Sequence, residues 1–267
     1  MLAGMGNMLR RENARWWAPK SLLMQAAVWL VIINALIAFT LFVLPSVLSP
    51  EDMAQVYADG ASGPHEVSLH QVVDMGIIMF FKLSTFAMLI GAIILCNDSI
   101  LTERESGTAA WVLSKPVSRK AFVLSKFLAN GTGILLAIVL LQGIVAYALC
   151  SLKLGGPVDV LPFIGGLALL GLDCLFYAFL GIATGAFTRS RGVTLGIPLL
   201  VMFGGMVLLE FAPGLGKVGP LKLGDLASLM ATTGTLPAGA LLPIVATTLW
   251  IAVFVAATLW KFERIEL

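Results

Sequence analysis

From Leu22 to Leu48 the chain reads LLMQAAVWLVIINALIAFTLFVLPSVL, 27 residues without a charge. A helix that crosses the hydrocarbon core of a bilayer needs about 20 mostly apolar residues. Five further segments, roughly 72–100, 121–150, 161–187, 193–211 and 239–260, meet that requirement. Backbone polar groups inside lipid must be satisfied within the structure, and long single segments achieve this as helices. The expected fold class is therefore an all-α integral membrane protein with six transmembrane helices. Composition agrees: 59% of residues are hydrophobic and 12% charged, where a soluble domain has about 25% charged.

Lysine and arginine set the orientation, because they concentrate in cytoplasmic loops. The N-terminal segment holds Arg10, Arg11, Arg15 and Lys20; the loop after span two and the start of span three hold Arg104, Lys115, Arg119, Lys120 and Lys126. The hairpin TRSRG adds Arg189 and Arg191, and the tail adds Lys261 and Arg264. The other side has only Lys153, Lys217 and Lys222, and its loop 49–71 carries Glu51, Asp52, Asp59 and Glu66. Both termini are expected in the cytoplasm of a multi-pass membrane protein. A net charge of +2 makes no case for nucleic acid. The basic N-terminus leads into an apolar run too long for a signal core of about 7–15 residues, so no cleaved signal is expected. Cys96, Cys150 and Cys174 lie within or at the ends of apolar runs without ligand-like or disulfide-like spacing, and read as small apolar side chains.

Between spans two and three the chain reads NDSILTERESGTAAWVLSKPVSRKAF. Gly107 breaks the helix that carries Glu103 and Glu105. Thr108 is placed to cap a short helix over AAWVLS, Pro116 ends it, and Ser118 caps the next. Trp111, Val112 and Leu113 thus form an apolar island between charged flanks. From the residues alone two readings fit: the island packs on the chain's own helix ends or headgroups, or it plugs into a groove on a partner as an aromatic anchor.

The run ERESGTAAWVLSKPVSRKAFVLSKF resembles the signature region of ABC-2 type transporter permeases, through Glu105, Gly107, Thr108, Pro116, Val117, Ser118, Arg119 and Lys126. The resemblance implies a cytoplasmic coupling helix that touches an ATP-binding subunit. Glu103, Glu105, Gly107, Thr108, Trp111, Val112, Leu113, Pro116 and Arg119 are then the expected contact residues. It also implies an amphipathic interfacial helix over residues 1–20, followed by the six-span domain 21–267. MLAGMGNMLRRENARWWAPKSL suits that helix, with Met5, Leu9 and Trp16 on one face and Arg10, Arg11 and Arg15 elsewhere for anionic lipid headgroups; a disordered basic tail is the other reading. In such permeases APGLGKVGPLKLGDLASLMATTGTLPAG, between spans five and six, forms short re-entrant outer helices, as an outer gate or as packing.

The sequence offers no catalytic residues and no metal site. The nearest text to a phosphate-binding loop, FAPGLGKVGP, has Phe211 where the first glycine belongs and Val218 where the hydroxyl belongs. His65, Glu66 and His70 read as a solvated loop. The chain is therefore expected to be no enzyme and to hold no cofactor, with ATP and Mg on a partner subunit. Two ATP-binding subunits, a second permease copy and membrane lipid are the expected partners, with an accessory protein a further one for the outer loop 49–71. Inside the membrane, Lys82 sits roughly 15 Å and Asp173 roughly 18 Å from the outer ends of their spans, with Gln142 at roughly 12 Å. A Lys82–Asp173 pair beside Gln142 is expected, structural or in contact with substrate, since unpaired charges there are costly. The leading reading is a permease subunit of an ATP-driven exporter. The alternative is a stand-alone secondary transporter or channel using Lys82 and Asp173.

Overall fold

The structure, a computed structural model, describes residues 4–57, 67–114 and 117–264. His65, Glu66 and Pro116 lie outside those residues, as does the side chain of Leu113. The described chain is helical throughout. Helix α1 (Met5–Trp17) ends at Ala18, whose extended backbone (φ −60°, ψ 128°) is what a residue preceding proline prefers. Pro19 then occupies the first position of α2 (Pro19–Val47), where its missing N–H costs nothing. Short α3 (Pro50–Tyr57) follows, tied back to α2 by the Tyr57 hydroxyl, which donates to the Thr40 carbonyl (2.8 Å).

Helix α4 (Leu69–Glu105) begins with a reciprocal cap between Ser68 and Gln71. After α5 (Thr108–Leu113) comes α6 (Arg119–Leu154), capped by Ser118, whose Oγ accepts from the Ala121 N–H, and ended by Gly155 in the left-handed region. Then follow α7 (Val160–Phe187), α8 (Arg191–Phe211), α9 (Leu223–Thr233) and α10 (Leu241–Arg264). Helices α2, α4, α6, α7, α8 and α10 are the six long and apolar enough to cross a membrane.

Helix α7 forms the centre, packed on α4, α9 and α10. Phe80, Phe81, Tyr147 and Phe163 interlock there, with ring centroids 5.0–6.0 Å apart. Small residues permit the approach: a Cβ on Gly166 would stand 2.6 Å from the Ala227 carbonyl oxygen and 2.7 Å from the Phe81 ring. Gly166 thus lies against Phe81, and Gly185 against Asn97 and Leu101, so α4 and α7 run parallel. Helices α2 and α6 each open into wider turns, at Leu30–Asn34, Phe39–Val43 and Ile134–Leu140. Beside them Asn34 donates to the Gln142 side-chain oxygen (2.8 Å), a buried polar tie between two spans. The glycine- and proline-broken segment after α8 makes two short 3₁₀ turns and then α9, which buries Leu223, Leu226, Ala227 and Ala231 against the bundle.

Candidate functional site

At one end of the bundle α5 stands between α4 and α6. Gly107 enters it with φ +72°, a conformation that favours glycine, and its carbonyl accepts the first helical bond, from Trp111. Thr108, expected as the cap, is instead the first helical residue, and its hydroxyl pairs with Ser106 (2.9 Å). Val112 turns inward and is buried, whereas Trp111 is 60% exposed.

At the end of α4 that leads into α5, Glu103 belongs to a buried charge network. Lys126, only 1% exposed, places Nζ 2.8 Å from Glu12 and 3.1 Å from Glu103, over the ring of Phe122. Arg11 approaches Glu103 at 3.5 Å. One turn further along α6, Asn130 accepts from the Trp16 indole (3.2 Å) and donates to Ser99 (3.1 Å). Two carboxylates and two cations thus balance in a site where an unpaired charge would be expensive. They bind α1 to both α4 and α6. The face of α1 buried in the bundle is Met8, Glu12 and Trp16, while Met5 and Leu9 of the expected Met5, Leu9 and Trp16 face are half-buried.

Two arginines flank α5, and each reaches the C-terminal end of another span. Arg104 donates to the carbonyls of Gly185, Ala186 and Thr188 (3.1, 2.7 and 3.2 Å) at the end of α7. Arg119 donates to the carbonyls of Phe262 and Glu263 (3.1 and 3.0 Å) at the end of α10, and Lys120 pairs with Glu263 (3.0 Å). The last carbonyls of a helix lack internal partners and carry its partial negative charge, so a guanidinium satisfies both needs. Glu105 pairs with Arg191 (3.3 Å), at the start of α8. Glu103, Glu105 and Arg119 therefore hold parts of this chain together.

Sequence comparison places this geometry. The model of the family described as ABC-2 family transporter protein matches residues 20–267. The chain belongs to the ABC-2 transporter family. It is 30% identical to the probable ABC transporter permease protein NosY of Pseudomonas aeruginosa, over 64% of this chain and 71% of that protein. It is 28% identical to the protein of the same name from Stutzerimonas stutzeri, with the same coverage. The ABC-2 chain is thus a multi-pass membrane component of an ABC transporter, of a family that works with an ATP-binding subunit.

Elsewhere in this ABC-2 chain the structure separates residues expected to pair. No ion pair joins Lys82 to Asp173 among the described residues. Asp173 is 2% exposed in the heart of α7, with Oδ1 lacking a hydrogen-bond partner, while Lys82 is exposed. From the Gly166–Phe81 contact, Asp173 lies level with Met88, about 9 Å along α4 from Lys82 at 1.5 Å per residue. Depth counted from each span's own end failed because α4 starts about six residues further out than α7 at that register. Gln142 bonds Asn34 instead. Sequence reasoning singled out Trp16 but missed its partner Asn130 and the buried Glu12, both single polar residues on otherwise mixed helices.

Proposed function

We propose that this chain is the membrane-spanning permease subunit of an ATP-driven exporter, docked through α5 to an ATP-binding subunit that hydrolyses ATP with Mg. This chain holds no cofactor and performs no catalysis. Family membership supports the division of labour. The observation that carries the coupling role is the exposed Trp111 on a short helix that follows directly on Glu103 of a buried charge network. Both termini and α5 lie in the cytoplasm, at the inner membrane, as the clustered basic residues favour. Two permease copies and two ATP-binding subunits make the working assembly, with the pathway between the copies. Helix α9 dips back from the outer face and gates the exit, and an accessory protein meets the loop 49–71.

In this reading closure of the ATP-binding subunits pushes on α5. Its flanks are not loose: Arg104 is fixed to the end of α7 and Arg119 to the end of α10. Displacement of α5 therefore reaches two spans directly, with α1, α4 and α6 joined through Lys126 as the base against which it moves. Affinity purification from native membranes in mild detergent, with Trp111→Glu as the paired variant, tests the docking. A stoichiometric ATP-binding protein retained by the wild type and lost from the variant is expected. Recovery of the chain alone, with the variant indistinguishable, overturns the reading.

A further inference from the structure

At the end of the bundle remote from α5, a cavity of about 290 Å³ opens between α4, α8 and α9. Lys82 of α4, Glu210 of α8 and Asp225 of α9 line it, with walls that include Phe86, Met206 and Leu209. All three charged side chains are exposed, and among the described residues no ion pair joins them. A lysine on a membrane span is costly and calls for a partner or a task. Here one ammonium and two carboxylates face a shared space in which none has satisfied the others.

Depth narrows the occupant. Helix α7 has 28 residues, about 42 Å, so centred on a hydrocarbon core of about 30 Å it extends about 6 Å past each side. Lys82 is level with Leu167, by the register of Gly166 on Phe81, and so lies about 10 Å from the start of α7. That puts its Cα about 4 Å inside the hydrocarbon edge, within reach of lipid phosphates for a side chain that extends toward the interface.

We propose that this cavity binds a head that carries both a phosphate and a primary ammonium, the chemistry of an aminophospholipid. Lys82 takes the phosphate through charge-assisted hydrogen bonds, and Glu210 and Asp225 take the ammonium. A purely anionic head would leave two carboxylates unpaired against it. A quaternary ammonium has no N–H to donate and is held by aromatic faces, of which the lining has only Phe86. The volume, at the lower edge of the roughly 300 Å³ of small-ligand sites, suits a head group whose chains leave along the apolar walls. The same chemistry is offered by a free amino-phosphate such as phosphoethanolamine. This site is independent of the ATP coupling proposed above.

The test is native mass spectrometry of the full chain in detergent with phosphatidylethanolamine, phosphatidylcholine and phosphatidylglycerol added in equal amounts. Retention of phosphatidylethanolamine about tenfold above the other two is expected, the worth of one charge-assisted hydrogen bond. Glu210→Gln with Asp225→Asn should abolish its preference over phosphatidylcholine, and Lys82→Gln should reduce retention of both. Tryptophan-fluorescence melting verifies that each variant is folded; if the double variant is not, Glu210→Gln and Asp225→Asn alone are each expected to halve the preference or more. Displacement of the lipid by free phosphoethanolamine would assign the site to the soluble compound, and its failure to displace would assign it to the lipid. Equal retention of the three lipids, or an unchanged preference in the folded variants, overturns the proposal.

Discussion

Replacing Lys126 by methionine keeps an unbranched chain of similar bulk and removes its charge from a site that is 99% enclosed. Glu12 then loses its one ion-pair partner among the described residues, while Glu103 keeps Arg11 at 3.5 Å. Removing one member of a buried pair costs about 3–5 kcal/mol, because the other charge stays behind. The Arg11 contact is half exposed on the arginine side and returns less than about 1 kcal/mol. The loss falls on the attachment of α1, whose hold on α6 depends on Glu12 and Trp16. About 2–5 kcal/mol remain, and at about 1.4 kcal/mol per factor of ten α1 should open about 30- to 4,000-fold more often. Amide hydrogen exchange over residues 5–17 reads this directly. A second change, Glu12→Gln on top of Lys126→Met, removes the stranded carboxylate and should recover about half of the lost protection or more. Unchanged exchange in α1, or a double variant no better than the single one, would refute the assignment of this network as the clamp on α1.

Arg104→Ala removes three hydrogen bonds, all from Nη1, from the end of α7 and should lower stability by about 2–4 kcal/mol in detergent melting, with Arg104→Lys intermediate because the shorter lysine keeps a charged donor but reaches fewer of the carbonyls. Gly166→Ala drives a methyl into the Ala227 carbonyl and the Phe81 ring; a loss of about 1–3 kcal/mol is expected, read as a lower melting temperature and faster proteolysis around α9. Asn34→Ala leaves the buried Gln142 without its donor and should cost about 0.5–1.5 kcal/mol, seen in the same melting assay.

The six spans were legible because lipid permits few solutions: an uncharged run of sufficient length must become a helix. The short helix over Thr108–Leu113 was legible from its punctuation, since Gly107 alone can take its left-handed turn. The face of α1 was not. Apolar spacing selects residues that face lipid or core, and Glu12 is buried for a different reason, the lysine 114 positions away. The separation of Lys82 from Asp173 was also hidden, because helices of unequal overhang share no common zero of depth. A short helix in the broken segment after α8 was expected from the family resemblance, but its packing against α4 and α7 was not legible, since its glycines and prolines read locally as turns.

The basic residues beside α5 serve a role that a charge count conceals. Counted by the positive-inside rule, Arg104, Arg119 and Lys126 are interchangeable tokens of orientation. In the structure each has a separate partner: Arg104 the end of α7, Arg119 the end of α10, and Lys126 the carboxylates of α1 and α4. The first two sit on helix termini, where carbonyls lack donors, and the long arginine side chain brings one nitrogen, Nη1, to two or three of those carbonyls in each case. Lys126 sits where a compact charge between two carboxylates is required. Exchanging arginine and lysine among these positions would preserve the orientation signal in full. It would still loosen the ties from the flanks of α5 to the ends of α7 and α10, so orientation and mechanical connection are set by the same charges but not by the same property of them.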